Sequence, residues 1–181
     1  MINNQKLQEV QERVLNIFEK ACIVLIPKEK RNIEIADFGL GRLEEFGLQL
    51  IVYINTEQVC AKEMVLFPYQ ICPEHKHPPI MGKAGKEETF RCRWGKVYLY
   101  VPGEPTKNPF GKVPLDKKQY FTVWKEVVLN PGEQYTIYPN TLHWFQGGEE
   151  GAIVSEFSSK SVDEKDVFTD PYIDRIPKLI D

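Results

Sequence analysis

EHKHPPIMGKAGKEETFRCRWG, residues 74–95, puts two of the protein's three histidines one residue apart and then runs through prolines and glycines to two adjacent glutamates. Along an extended strand successive side chains take opposite faces, so His75 and His77 point the same way and Lys76 points opposite. Two imidazoles on one face suit a shared divalent cation. Two polar histidines on a solvated strand face give the same pattern, so the pair alone leaves both readings open. The stretch 78–85 can turn the chain back toward the histidines, and Glu88 follows His77 by eleven residues. Adjacent strand residues diverge, so only one of Glu87 and Glu88 reaches a site the histidines form, and Lys86 shares the face of Glu88. Cys72, three residues before His75, is a further ligand by type.

Outward from this stretch the chain reads as β-structure. After Pro27, IEIADFGLG, LQLIVYIN, VCAKEMVLFPYQ, KVYLYVPG, YFTVWKEVVLNPG, QYTIYPN and AIVSEFSS are short runs rich in Val, Ile, Tyr, Phe and Thr. Gly, Pro and Asn punctuate them, and no helical pattern intervenes, which predicts an antiparallel sandwich or barrel. Before Pro27 the periodicity is different. Leu7, Val10, Val14, Ile17, Phe18 and Ala21 fall at helical spacing, with Asn3 or Asn4 available as the N-cap. From Ser161 the composition turns acidic, as either a solvated end or a flap over a barrel mouth. The expected organisation is one domain over 1–181, with a helical arm (1–28), a barrel (29–160) and an acidic C-terminal segment (161–181). The third histidine, His143, stands where a strand ends in Pro139-Asn140 and the chain turns inward, so all three histidines occupy strand-and-turn positions able to converge.

Bulk properties exclude several classes. A net charge of -3 and a pI near 5.7 oppose a nucleic-acid binder, which needs a basic face. No apolar run approaches a membrane span and the N-terminus has no secretory pattern, so a cytoplasmic protein without a membrane partner is expected. Cys22, Cys60, Cys72 and Cys92 form no CxxC pair, and idle thiols in a reducing compartment are expected.

HxH, a downstream Glu, six residues and Gly95, followed by a strand, Pro139 and His143, resemble the two motifs of the cupin superfamily. The spacing departs twice: the His-to-Glu gap is long, and Pro139 precedes His143 by four in place of the usual PxGxxH. Together with KEE, YPNTLHWFQGG, SEFSS and Arg175 beyond an acidic stretch, these departures resemble the D-lyxose isomerase family of cupins. The resemblance implies an all-β double-stranded β-helix (cupin jelly-roll barrel) with an N-terminal α-helix. It implies the metal ligands His75, His77, Glu88 and His143, with Glu88 selected over Glu87 by the spacing to Gly95. The expected ion is Mn²⁺, or another divalent metal such as Co²⁺, Fe²⁺ or Zn²⁺.

On the same resemblance Glu156 and Lys86 face a sugar substrate, Glu156 as general base and Lys86 steadying an oxygen. The residues alone leave Glu156 open: it shares a face with Val154, as an inward acid or as an edge charge in water. Trp144, Gln146 and Arg175 are candidates to hold the sugar, with core packing the competing reading for the aromatic residues here, including Tyr98, Tyr100 and Trp124. Asp163, Asp166 and Asp170 are candidates to line an entrance. The activity implied is metal-dependent interconversion of D-lyxose with D-xylulose and of D-mannose with D-fructose, by a homodimer. An Fe(II) cupin dioxygenase and a non-catalytic sugar-binding cupin are the alternatives. A phosphosugar isomerase is less favoured, since no Arg/Lys cluster is evident to clamp phosphate.

Overall fold

A computed structural model describes residues 4–176; a cap by Asn3 and the ends of the outer segments lie outside these residues. Helix α1 (Asn4–Lys20) forms where the apolar stripe predicts it, and Val10, Val14 and Phe18 along that stripe are fully buried. Each such burial is worth roughly 1.5–3 kcal/mol. The helix stops in a C-terminal cap in which Ile23 N donates to Phe18 O and Cys22 N to Glu19 O, with Cys22 in the left-handed region at φ 56°. A short α2 (Pro27–Arg31) follows, its first turn set by Pro27. No described helix is long and apolar enough to cross a membrane.

Among the described residues, most of the remainder forms one curled antiparallel sheet of nine strands. They are β1 (Glu34–Ala36), β2 (Leu48–Asn55), β3 (Cys60–Leu66), β4 (Ile71–Lys76), β5 (Glu88–Val101), β6 (Lys125–Leu129), β7 (Gln134–Ile137), β8 (His143–Ser158) and β9 (Val167–Phe168). The order β1-β2-β3-β8-β4-β9 is completed by β5, which pairs β8, β6 and β7. Two long strands, β5 and β8, generate the barrel. They pair with each other from Glu88↔Ser158 to Tyr100↔Trp144, with register shifts around Trp94 and Gly95. The C-terminal half of β8 continues onto β3, and its N-terminal half onto β4. Each long strand therefore serves both layers, the jelly-roll arrangement expected from the sequence.

The bend between the layers rests on two glycines. A Cβ at Gly95 (φ +70°) would sit 2.2 Å from Gly151 O, and one at Gly151 (φ +92°) 2.4 Å from Leu66 O. Backbone meets backbone there, and only glycine fits. The alternation of strand faces then sorts the core. Leu48, Leu50, Met64, Leu66, Phe90, Leu99, Phe145 and Val154 fill the barrel. Ile51, Val65, Phe67 and Ile153 on the outer face take the stripe of α1. At one end of the interior the apolar filling gives way to charge.

Candidate functional site

Among the described residues, the ligand atoms of His75, His77 and His143 lie within 4.8 Å of one another, all three residues buried. His75 and His143 are register partners across β4 and β8. His75 and Cys72 both face inward although they stand three positions apart, because the pairing slips between them. Glu74, inside that slip, turns outward and accepts hydrogen bonds from Thr122 N and Oγ1, Val123 N and Thr169 Oγ1 at 2.6–3.0 Å. Glu88, at the start of β5, places Oε1 3.0 Å from both His77 Nε2 and His143 Nε2.

Each imidazole is backed on its other nitrogen. His75 Nδ1 lies 2.8 Å from Pro73 O, His143 Nδ1 3.0 Å from Thr141 O, and His77 Nδ1 2.6 Å from Asp166 Oδ1. A carbonyl or carboxylate only accepts, so Nδ1 carries a proton and donates. On His75 and His143 Nε2 then turns its lone pair to the common centre. His77 Nε2, 3.0 Å from Glu88 Oε1, donates to that carboxylate until a cation takes the proton's place. Burial, with His143 and His77 adding to it, holds His75 well below the usual imidazole range. Burial would also lower His77, but Glu88 and Asp166 hold it up at about 9; the same negative field attracts a cation.

The donor set fits a divalent ion. His143 Nε2 is fully buried and, despite its closeness to Glu88, makes no hydrogen bond among the described residues. Donors about 3.0 Å apart also match neighbouring positions around an ion with bonds of about 2.1 Å. Cys72 lines the cavity, but burial pushes its thiol well up and it stands outside the histidine group.

Beside the donors runs a chain of alternating charges. Lys86 Nζ lies 2.7 Å from Glu88 Oε2 and donates to Glu156 Oε1 at 3.1 Å. Ser158 Oγ donates to the same oxygen at 2.9 Å, and Lys62 Nζ stands 3.8 Å from it. Among the described residues Glu156 Oε2 makes no hydrogen bond. Lys62 in turn donates to Ser161 Oγ and to both oxygens of Asp163, each at 2.8 Å, and Arg175 joins Asp163 to Glu34. Burial alone would lower Lys86 and raise Glu88. Glu156 and Glu88 hold the lysine well up, and Lys86 and His77 hold the glutamate well down. Lys62, Glu88 and Glu156 are each at most 3% exposed, so their charges depend on one another.

The structure brings together His75, His77, Glu88, His143, Lys86 and Glu156, with Arg175 at the rim through Asp163. Glu87 is exposed, as parity requires. Trp144 and Gln146 do not join this group, which corrects their expected place beside the sugar. His143 and Phe145 face inward, so Trp144 and Gln146 face out. Trp144 is fully buried, stacks on Tyr100 at 3.8 Å between ring centroids, and donates to Val123 O. Gln146 bonds Lys112 and Tyr69 O. Tyr100 and Trp124 pack in the same outer cluster. Asp170 pairs with Lys117. Lys62 was missed. Its signal was available, since Lys62 shares a strand face with Met64 and Leu66 and so had to point into the barrel. The C-terminal segment is a flap: β9 pairs β4 at His75↔Phe168, and Asp163 and Asp166 reach inward from it.

A curled antiparallel barrel enclosing three imidazoles and a carboxylate defines a cupin-like protein with a buried histidine group that could hold a cation. The D-lyxose isomerase family model matches residues 19–181. A D-lyxose/D-mannose isomerase of Thermosediminibacter oceani is 65% identical over 181 residues, covering all of both chains. A D-lyxose ketol-isomerase of a Thermofilum species is 62% identical over 180 residues, 99% of this chain and all of the relative. In fold the chain is similar to an Acinetobacter L-ribose isomerase solved in complex with L-ribose, with TM-score 0.78, 14% identity, and 95% and 94% of the two chains covered. The chain belongs to the D-lyxose isomerase family, and by that membership it is an enzyme.

Proposed function

We propose that this protein is a metal-dependent aldose–ketose isomerase that interconverts D-lyxose with D-xylulose and D-mannose with D-fructose. The observation that carries the reading is the adjacency of two built groups: four inward donors ready for a cation, and Glu156 flanked by Lys86 and Lys62. Its substrates follow the names of its relatives. His75, His77, Glu88 and His143 would hold the ion, which we take to be Mn²⁺ because three nitrogens and one oxygen leave room for hard sugar oxygens. When bound, the ion supplies Lewis acidity toward the C1 and C2 oxygens.

The chain's own residues move the protons. Glu156, with Oε1 held by Lys86 and Ser158, takes the C2 proton at Oε2 and returns it at C1. Lys86 donates to the sugar oxygen on which negative charge develops. One proton passes from C2 to C1 and one from O2 to O1, so atoms balance without a redox partner. The proposal includes a cytoplasmic enzyme, supported by the unpaired buried thiols of Cys60, Cys72 and Cys92. It also includes a homodimer, supported by the exposed Tyr53 and Phe157 on the sheet and Val59 beside it.

The test is an aldose panel with protein stripped by chelator and then resupplied with Mn²⁺, run without oxygen. D-lyxose and D-mannose should be converted only after resupply. Turnover that needs oxygen would favour the dioxygenase reading, and no interconversion with any divalent ion would end the proposal.

A further inference from the structure

The cavity lined by His75, His77, Glu88 and Glu156 is about 30 Å³. A water needs about 10–15 Å³ of such space, so there is room for roughly two. That accommodates the reacting oxygens of a sugar and little more of its carbon chain. The remainder must leave by a mouth. His77, Lys86 and Asp166 line both this cavity and an outer one of about 290 Å³. On another side, beyond Lys62, Asp163 and Arg175, a second hollow is shut off by the ion pairs of Lys62 with Asp163 and of Arg175 with Asp163 and Glu34. Buried ion pairs stand at both openings, with His77–Asp166 and Lys86 with Glu88 and Glu156 at the first. Only the first leads onto an apolar wall, whereas the second hollow is lined mostly by charged and polar side chains.

Resting on the isomerase reading, we infer that the outer cavity walled by Pro78, Ile80, Met81, Ala84, Gly85 and Val162 receives the non-reacting end of the sugar, from C4 outward, and sets the preference between five- and six-carbon substrates. The wall is prebuilt. Ile80 and Lys83 exchange backbone hydrogen bonds at 2.9 and 3.0 Å across a tight turn with Met81 and Gly82 at positive φ. The far end of the turn is fastened to a metal-ligand residue: a Cβ at Gly85 would sit 1.9 Å from His77 O, so this loop and His77 share one backbone contact. The apolar wall suits the C–H faces of a sugar, while Ser159, Lys160 and Lys165 on the opposite rim suit its terminal hydroxyls.

The experiment compares Ala84→Phe, at an exposed wall position, with Ile80→Ala on three aldoses: D-mannose, D-lyxose, and L-erythrose, which keeps their C2 and C3 configuration but ends at C4. Filling the cavity with Ala84→Phe should lower kcat/KM about 10-fold or more for D-mannose, less for D-lyxose, and within 2-fold for L-erythrose. Ile80→Ala should shift the mannose-to-lyxose ratio the other way. An equal effect on all three sugars, or no change in the ratio with either variant, overturns the inference while leaving the isomerase intact. If the wild-type protein converts none of the three with Mn²⁺, the isomerase reading itself fails and this inference falls with it. Should Ala84→Phe not fold, the ratio measured with Ile80→Ala decides alone.

Discussion

On one side of the inner cavity, the imidazoles of His75 and His143 are steered by carbonyls two residues earlier in their own chain segments, Pro73 O and Thr141 O. On the other side, Glu156 is steered by Lys86 and by Lys62, whose ammonium is fixed by Asp163 and Ser161 from the C-terminal flap. The first side is local and uses hydrogen bonds. The second is assembled from distant segments and uses charge. His77 joins the two, since its Nδ1 answers to Asp166 on that flap. The geometry of the proposed ligands His75 and His143 is thus built into the sheet, whereas the surroundings of the proposed proton carrier Glu156 depend in part on the C-terminal flap.

That contrast can be broken most severely by two isosteric changes. Glu156→Gln should abolish turnover, a loss of about 10³-fold or more, with one cation per chain still present by elemental analysis. Glu88→Gln should lose both turnover and most of the cation. If Glu156→Gln stays near the wild-type rate, the division of labour is wrong. Lys62→Met should cost about 10- to 100-fold in kcat with cation content unchanged, because it removes an ammonium near Glu156 without touching a ligand. Asp166→Asn should weaken cation affinity by about 10- to 100-fold through His77 alone, read by competition with a chelating dye.

A smaller effect appears in stability. Burial would raise Asp163, but Lys62, Lys86 and Arg175 hold it well below its usual value. A carboxylate depressed on folding contributes stability that is complete above its unfolded value near 4 and is lost as pH falls toward the lower folded value. Asp163→Asn should therefore destabilise the protein by on the order of 2 kcal/mol in urea at pH 7. The difference should shrink progressively as pH falls below about 4, and a constant difference across pH would contradict the assignment. Least of all, Glu87→Gln should change rate, cation content and stability hardly at all, less than about 0.5 kcal/mol, as befits an exposed side chain.

The local side was legible in the sequence and the distant side only in part. The convergence of His75, His77 and Glu88 could be anticipated from strand parity and from the motif spacing of the family resemblance, both carried by one stretch. The barrel followed from short β-rich runs with glycine and proline between them. Trp144 and Gln146 were misread because proximity to His143 in sequence was allowed to outweigh the alternation that sends neighbours to opposite faces. Lys62 is the lone charge on a strand face shared with Cys60, Met64 and Leu66, and the acids that pair with it, Glu156 and Asp163, arrive some hundred residues later. The slip between Cys72 and His75 is marked in the sequence only by Pro73, which cannot donate to a ladder, and Glu74 anchors it with donors from Thr122, Val123 and Thr169 that no periodicity foretells.

The two carbonyl-steered histidines face each other as register partners on neighbouring strands, so a protein engineer can treat them as a portable cassette. Grafting Pro73–His75 and Thr141–His143 onto any antiparallel pair in the same register would carry their ring orientation along, whatever the host supplies elsewhere. His77 would not survive such a transplant, because the carboxylate that aims it belongs to another part of the chain.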